Sequence, residues 1–317
     1  MKTKIPSLSY NAMFKAIISN NKYILSKLIE AILDYYKIDI DIKDKELIVK
    51  NNELPIDNYQ DRQLICDYII KLDDNKEINI EVNRSKYIGV TERNITYSFK
   101  IYYEHFKAGD DYDKFSKYTL LQINFNNYPN SNGKSINRFY MIDIDDIENR
   151  LSNSYSIMNI DIAKCYKLVY NKNNLEGISD LEKLSAIIGC EYLEDVASIL
   201  ERGKISMDKK EKEKLLKEIK AKIKDKDILE AIKLENSIDD RFKMIEAMAL
   251  ESGLQQGVEK GIKQGIKQGI KQGIEKGREE NTVEIIKAML DNNSSYEYIS
   301  KITGKSKEEI DSIAKNM

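Results

Sequence analysis

Between residues 64 and 83 the apolar pattern takes the period of paired strands, and a chain that must accommodate this hairpin has few folds open to it. Leu64, Cys66, Tyr68, Ile70 and Leu72 alternate with Ile65, Asp67, Ile69 and Lys71. That predicts a strand buried mostly on both faces. Asp73-Asp74-Asn75-Lys76 reads as a tight turn. Residues 77–83 form the return strand, with Ile78, Ile80 and Val82 on one side and Asn79, Glu81 and Asn83 on the other.

The rest of the chain is organised around this hairpin. Residues 9–35 read as two helices broken at Asn20-Asn21, with Met13, Phe14, Ile17 and Ile18 on one apolar face. Residues 36–62 are short and mixed, ending in the turn-rich ELPIDNYQDR. A helix is expected over roughly 91–107, ending near Gly109. Strands are expected at 118–125 and 138–144, joined by the loop NNYPNSNGKS. From about 150 to 250 the pattern is helical and charged, and 208–227 reads as a solvated helix face of mixed sign. The expected division is a core at 1–150, a helical region at 151–250, a glycine-repeat helix or linker at 251–280, and a small helical hairpin at 281–317.

Composition removes several chemistries. The chain has one histidine, His105, so histidine-paired zinc sites, HNH-type nucleases and serine–histidine triads are excluded. His105 itself, between Glu104 and Phe106, reads as a helix-face residue. Three widely spaced cysteines give no disulfide framework and fit a reducing compartment. No stretch reaches the ~18 apolar residues of a membrane span. The opening MKTKIPSLSYNAMFK lacks the apolar run of a secretory signal, so a cytoplasmic protein is expected. A net charge of −2 indicates no globally basic nucleic-acid binder, although a metal-dependent nuclease needs basic contacts only locally.

The chemistry-bearing constellation is Asp67 with Glu81-Val82-Asn83. Alternation puts Glu81 and Asn83 on one face. If Asp67 joins them, two carboxylates and an amide converge in an oxygen-rich cluster suited to Mg²⁺. The competing reading is a set of surface polar residues on an amphipathic hairpin. Asp67 lies inside ICDYII, where a carboxylate is costly without a metal or hydrogen bonds to compensate it.

These stretches resemble the Rpn family of recombination-promoting nucleases and putative transposases, a branch of the PD-(D/E)XK nucleases. YNAMFKAIISNNKYILSKLIEAIL resembles the family's first helices with their Phe-Lys pair, here Phe14-Lys15. ICDYIIKLDDNKEINIEVN resembles its catalytic hairpin, and RNITYSFKIYYEHFKAGDDYDKFSKYTLLQINF its next block, with Arg93, Tyr97, Gly109 and Tyr112 in matching places. The resemblance implies an α/β fold: a restriction-endonuclease-like core, a mixed sheet flanked by helices, and a helical C-terminal region after it. It implies DNA as substrate, Mg²⁺ or another divalent cation as cofactor, Asp67 and Glu81 as metal ligands, and Asn83 as the water-positioning amide. It also implies Lys15 and Arg93 as contacts to phosphate, with an exposed helix lysine as the plainer reading of Lys15. Two positions depart from the family pattern. Asn11 stands where an acidic residue is usual, and Asn83 where Gln is usual. Both departures favour an alternative, a catalytically decayed nuclease fold acting as a protein-interaction or DNA-binding module. A further alternative, a DDE-type transposase, would need a third carboxylate, which 143–148 (DIDDIE) could offer.

The tail is different in kind. Gly253, Gly257, Gly261, Gly265, Gly269, Gly273 and Gly277 recur every four residues, each but the last followed by Leu, Val or Ile. Seven glycines cost a helix about 6–7 kcal/mol relative to alanine. The segment is therefore expected to be flexible or to be a homo-oligomer contact in which a partner helix packs on the glycine stripe. Lys, Gln and Glu at the intervening positions exclude a membrane role. Ser294 with Glu297 and Ser306 with Glu309 read as capping boxes of two short helices around Thr303-Gly304. Glu308, Glu309 and Asp311 carry the wrong charge for docking the second helix on DNA phosphates, so a packing hairpin is preferred to a DNA reader.

Overall fold

The computed structural model describes residues 2–40, 42, 47–49, 66–172 and 174–316, and they fall into two compact units, Met1–Met244 and Ile245–Met317. Most of the stretch 36–62, with its turn-rich end, and Leu64 and Ile65 lie outside the described residues.

The first unit opens with α1 (Asn11–Phe14), which runs into a π-helical turn, Lys15–Ser19, and then α2 (Lys22–Tyr36). The expected break at Asn20-Asn21 is present because the Asn21 side chain accepts from the Tyr23 and Ile24 N–H groups and caps α2. The π turn was not expected, since an apolar face at helical spacing fits either winding. Strands β1 (Ile48–Val49), β2 (Tyr68–Asp73) and β3 (Lys76–Asn83) follow. Next come α3 (Val90–Glu104), α4 (Tyr112–Lys117), β4 (Thr119–Asn126), β5 (Ile136–Tyr140) and β6 (Tyr155–Asp161). Four helices then complete the packing: α5 (Ile162–Tyr170), α6 (Asp180–Ile188), α7 (Leu193–Arg202) and α8 (Lys209–Lys222). A long helix, α9 (Lys226–Asp291), begins in this unit.

Among the described residues the sheet has six strands in the order β1-β2-β3-β4-β6-β5. It is mixed: β2/β3 and β5/β6 are antiparallel, while β3/β4 and β4/β6 are parallel. Strand β6 corrects the helical reading of the segment after 150, because Tyr155–Asp161 lies inside the sheet beside β4. The sheet is covered on both faces. Ile70, Ile78, Ile80, Ile123, Phe125, Met158 and Ile160 pack with the first helices and with α5–α8 in the main core. Ile69, Leu120 and Tyr155 pack on the other face against Ile101, Tyr97 and Tyr102 of α3. Helix α8 keeps the charged, largely exposed face expected over 208–227 and buries Leu215 and Ile219.

In the second unit the glycine repeat is helical throughout, as part of α9. It is followed by α10 (Tyr296–Thr303) and α11 (Lys307–Ala314). Ile286, Ile299 and Ile310 form a small core there. Ser306 and Glu309 make the expected capping box, whereas α10 is capped by Ser295 rather than Ser294. Gly304, at φ 71°, ends α10 in the left-handed conformation that glycine adopts without strain. No helix of the described residues is long and apolar enough to cross a membrane.

Candidate active site

Strand β2 begins at Tyr68, paired with Ile80, so Asp67 sits in a bend just before the strand rather than within it. Its side chain takes over where the backbone ladder stops. Asp67 Oδ2 accepts from the Val82 N–H at 2.7 Å, and the Asp67 N–H donates to Glu81 Oε1 at 3.2 Å. The two residues therefore face one another across the mouth of the hairpin, as the sequence pattern required for a shared site.

Both line a cleft of 250 Å³ with Asn11, Asn83, Arg93 and Glu235. Asn11 Nδ2 donates to Asp67 Oδ1 at 2.6 Å, while Asn11 Oδ1 is buried with no hydrogen-bond partner among the described residues. Arg93, from α3, donates through Nη2 to Asn83 Oδ1 at 2.7 Å and lies 3.8 Å from Glu81 Oε2. Asn83 Nδ2 donates to Asn126 Oδ1 at 2.9 Å, so the Asn83 amide is held from both ends. Lys15 belongs to the π turn, with Nζ 5.9 Å from the Tyr68 ring centroid. Its charge, with that of Arg93, favours ionised Asp67.

Burial, followed by the charge of Asp67, holds the Glu81 carboxyl well above the usual carboxylate range. Burial also raises Asp67, against the opposing pull of the Val82 N–H, Lys15 and Arg93. Two desolvated carboxylates side by side are poorly compensated by one arginine, and a divalent cation would relieve them. Among the described residues no group of three or more His, Cys, Asp or Glu side chains is placed to hold a metal. Two carboxylates and an orphaned amide oxygen nonetheless fit Mg²⁺, which takes one or two carboxylates and keeps most of its waters.

The opposite wall of the cleft has no local sequence signal. It comes from the start of α9, more than 150 residues downstream, within the first unit. Glu235 accepts from the N–H groups of Asn11 and Ala12 at 2.9 and 3.0 Å, acting as a distant cap for α1. Arg84 stacks on Tyr10 at 3.6 Å and lies 3.7 Å from Asp239, and Phe242 stacks on Tyr87 at 4.4 Å. Residues 143–148, the candidate source of a third carboxylate, are exposed and line no part of this cleft. His105 is also remote from it, stacked on Tyr118 at 3.7 Å.

Compared with known families, residues 10–263 match the profile of the PD-(D/E)XK nuclease family transposases. No curated protein and no solved structure matches the chain.

Proposed function

The chain belongs to the PD-(D/E)XK nuclease family transposases, and from that premise we propose that it is a Mg²⁺-dependent endonuclease hydrolysing DNA phosphodiester bonds. The observation that carries the reading is the cleft lined by Asp67, Glu81 and Asn11, with Arg93 beside them. Asp67 and Glu81 would hold the cation, with Asn11 tied to Asp67 beside them. The metal supplies an acidified water and charge neutralisation at the phosphate. Arg93 presents a guanidinium to a phosphate oxygen, and its tie to Asn83 fixes its direction. Asn83 thus positions Arg93 as well as water. Lys15 contributes its positive charge behind Asp67. A role in recombination, mobile-element movement or phage defence follows from the resemblance. Plasmid nicking in Mg²⁺, abolished by EDTA, is the expected result; an inert protein in Mg²⁺ and in Mn²⁺ would overturn it.

A second reading is favoured by two observations: Asn11 replaces an acidic residue, and both ends of the Asn83 amide are engaged. On that reading the fold is catalytically silent and retains DNA or a protein partner. DNA binding without nicking distinguishes it.

The glycine repeat gives the proposed self-association. Among the described residues, a Cβ built on any of its seven glycines meets nothing within 4 Å, and Ile262, Ile266 and Ile270 are each more than half exposed. A second copy would bury that stripe. Sedimentation of the full chain is expected to give a mass above one chain, falling to one chain when the protein ends near Ala249. Equal monomeric masses would remove the proposal.

A further inference from the structure

A second cleft, of 280 Å³, lies against the same face of the sheet as Glu81, over β4 and β6. Asn94, Gln122, Asn124, Asn126 and Asn159 supply its polar lining, and Tyr128, Ile157 and Phe139 its apolar surface. We infer that it is a nucleobase subsite, taking one unpaired base of the strand whose phosphate lies at Glu81 and favouring a base that presents carbonyl oxygen. The inference rests on the nuclease reading and adds to it a substrate contact that neither the fold nor the hairpin motif requires.

Three observations carry it. First, the cleft is close to neutral, since Lys86 is the one charged residue among those lining it. A phosphate, a metal ion or a charged peptide would find little compensation there, whereas a base is planar, uncharged and rich in hydrogen-bonding edges. Second, the amides are ordered in one direction. Asn79 Nδ2 donates to Gln122 Oε1 at 2.7 Å, Gln122 Nε2 to Asn124 Oδ1 at 2.7 Å, and Asn124 Nδ2 to Asn159 Oδ1 at 2.8 Å. The chain of bonds consumes the acceptor of Asn159 and leaves its Nδ2 with no bond inside the protein among the described residues. Asn126 is in the same condition, its Oδ1 taken by Asn83. Two spare donors call for acceptors, which base carbonyl and ring-nitrogen atoms provide. Asn126 is 2% exposed and lines the cleft.

Third, the two clefts share a partition. Asn83 faces the catalytic cleft and its partner Asn126 the second one. Likewise Arg93 lines the first, while Asn94, which accepts from Arg93 at 3.0 Å, lines the second. A nucleotide with its phosphate beside Arg93 therefore has its base within reach of the amides. A paired base has its edge occupied, so the occupant is single-stranded or turned out of the duplex. Tyr128, half-buried, and Phe139, 45% exposed, provide the ring faces on which such a base packs.

The test uses the full chain and a labelled single-stranded DNA dodecamer, with one abasic nucleotide moved through every position, read by fluorescence anisotropy in EDTA. One position is expected to lose affinity by about tenfold or more when abasic, and to prefer the carbonyl-bearing bases thymine, guanine and cytosine over adenine when filled. Asn159→Leu and the exposed Phe139→Ala should each weaken intact DNA and become indifferent to that position. A series flat to within about twofold, or both variants behaving as the parent, overturns the subsite. If the parent nicks plasmid while the series is flat, the subsite alone falls. If the parent neither binds DNA nor nicks it, the nuclease reading fails and the subsite goes with it.

Discussion

The β3–β4 region and the glycine-repeat part of α9 are inversions of one another. In β3 and β4 the polar side chains are inside and engaged: Asn79, Gln122, Asn83 and Asn126 are all at least nine-tenths buried and hydrogen-bonded in pairs. In the repeat the apolar side chains are outside and idle, with Leu254, Val258, Ile262 and Ile274 each more than half exposed. Buried amides are costly without partners, so most of these strand residues are explained by contacts within the chain, with Asn79 Oδ1 and the Asn126 Nδ2 left over among the described residues. Exposed aliphatics on a glycine-weakened helix gain nothing within the chain among the described residues, which is why the repeat is the segment proposed to pack on a second copy.

The comparison can be broken most severely at the hairpin. Asp67→Ala and Glu81→Ala are each expected to lower plasmid cleavage by at least about a hundredfold with the thermal transition retained. Unchanged cleavage in either would make the buried polar cluster purely structural. Next in size is the repeat. Alanine at Gly261, Gly265 and Gly269 together should stabilise an isolated helix by about 3 kcal/mol. If the stripe receives a partner helix, the same change should instead reduce the sedimenting mass toward one chain, the result expected here. A rise in helix stability with unchanged mass would make the stripe truly idle.

A smaller effect sharpens the electrostatic side. Glu81 is held above the ordinary carboxylate range in the folded state, so it favours folding most below about pH 4.3, the unfolded value. That contribution is lost as pH rises through its folded value. In EDTA the melting temperature should therefore fall over this interval, and Glu81→Gln or added Mg²⁺ should flatten the fall. The smallest expected change is at Asn83. Asn83→Gln lengthens the arm and should raise cleavage a few-fold, and Asn83→Ala should lower it by releasing Arg93. Circular dichroism melts and initial cleavage rates, respectively, check these two.

The hairpin was readable because its turn is local and its alternation strict, so facing residues follow from counting. Glu235 was not, because its role depends on where α9 packs, and nothing near it in sequence signals that. Strand β6 was missed for a reason the second cleft makes plain. Asn159, which lines the second cleft, and Ser156, whose hydroxyl bonds Tyr36 on the other face, interrupt its apolar pattern, and an inner strand with such polar positions looks like an exposed segment. The tie between Arg93 and Asn83 was also out of reach, although both residues had been singled out separately. The backbone winding at Lys15 could not be told from an ordinary helix, since both present the same residues to the core.

The helical repeat also behaves as a ruler graduated in one unit of length. Four residues advance a helix by about 6 Å and turn it by about 40° beyond one full revolution. Each IKQG copy gained or lost by slippage between near-identical coding units would shift α10 and α11 along and around the repeat by that fixed step. Within one chain the packing would register no change, because a Cβ built at any glycine of the repeat meets nothing within 4 Å among the described residues. Length variants would then form a discrete series, returning to nearly the same facing after nine units, rather than a continuum of damaged proteins.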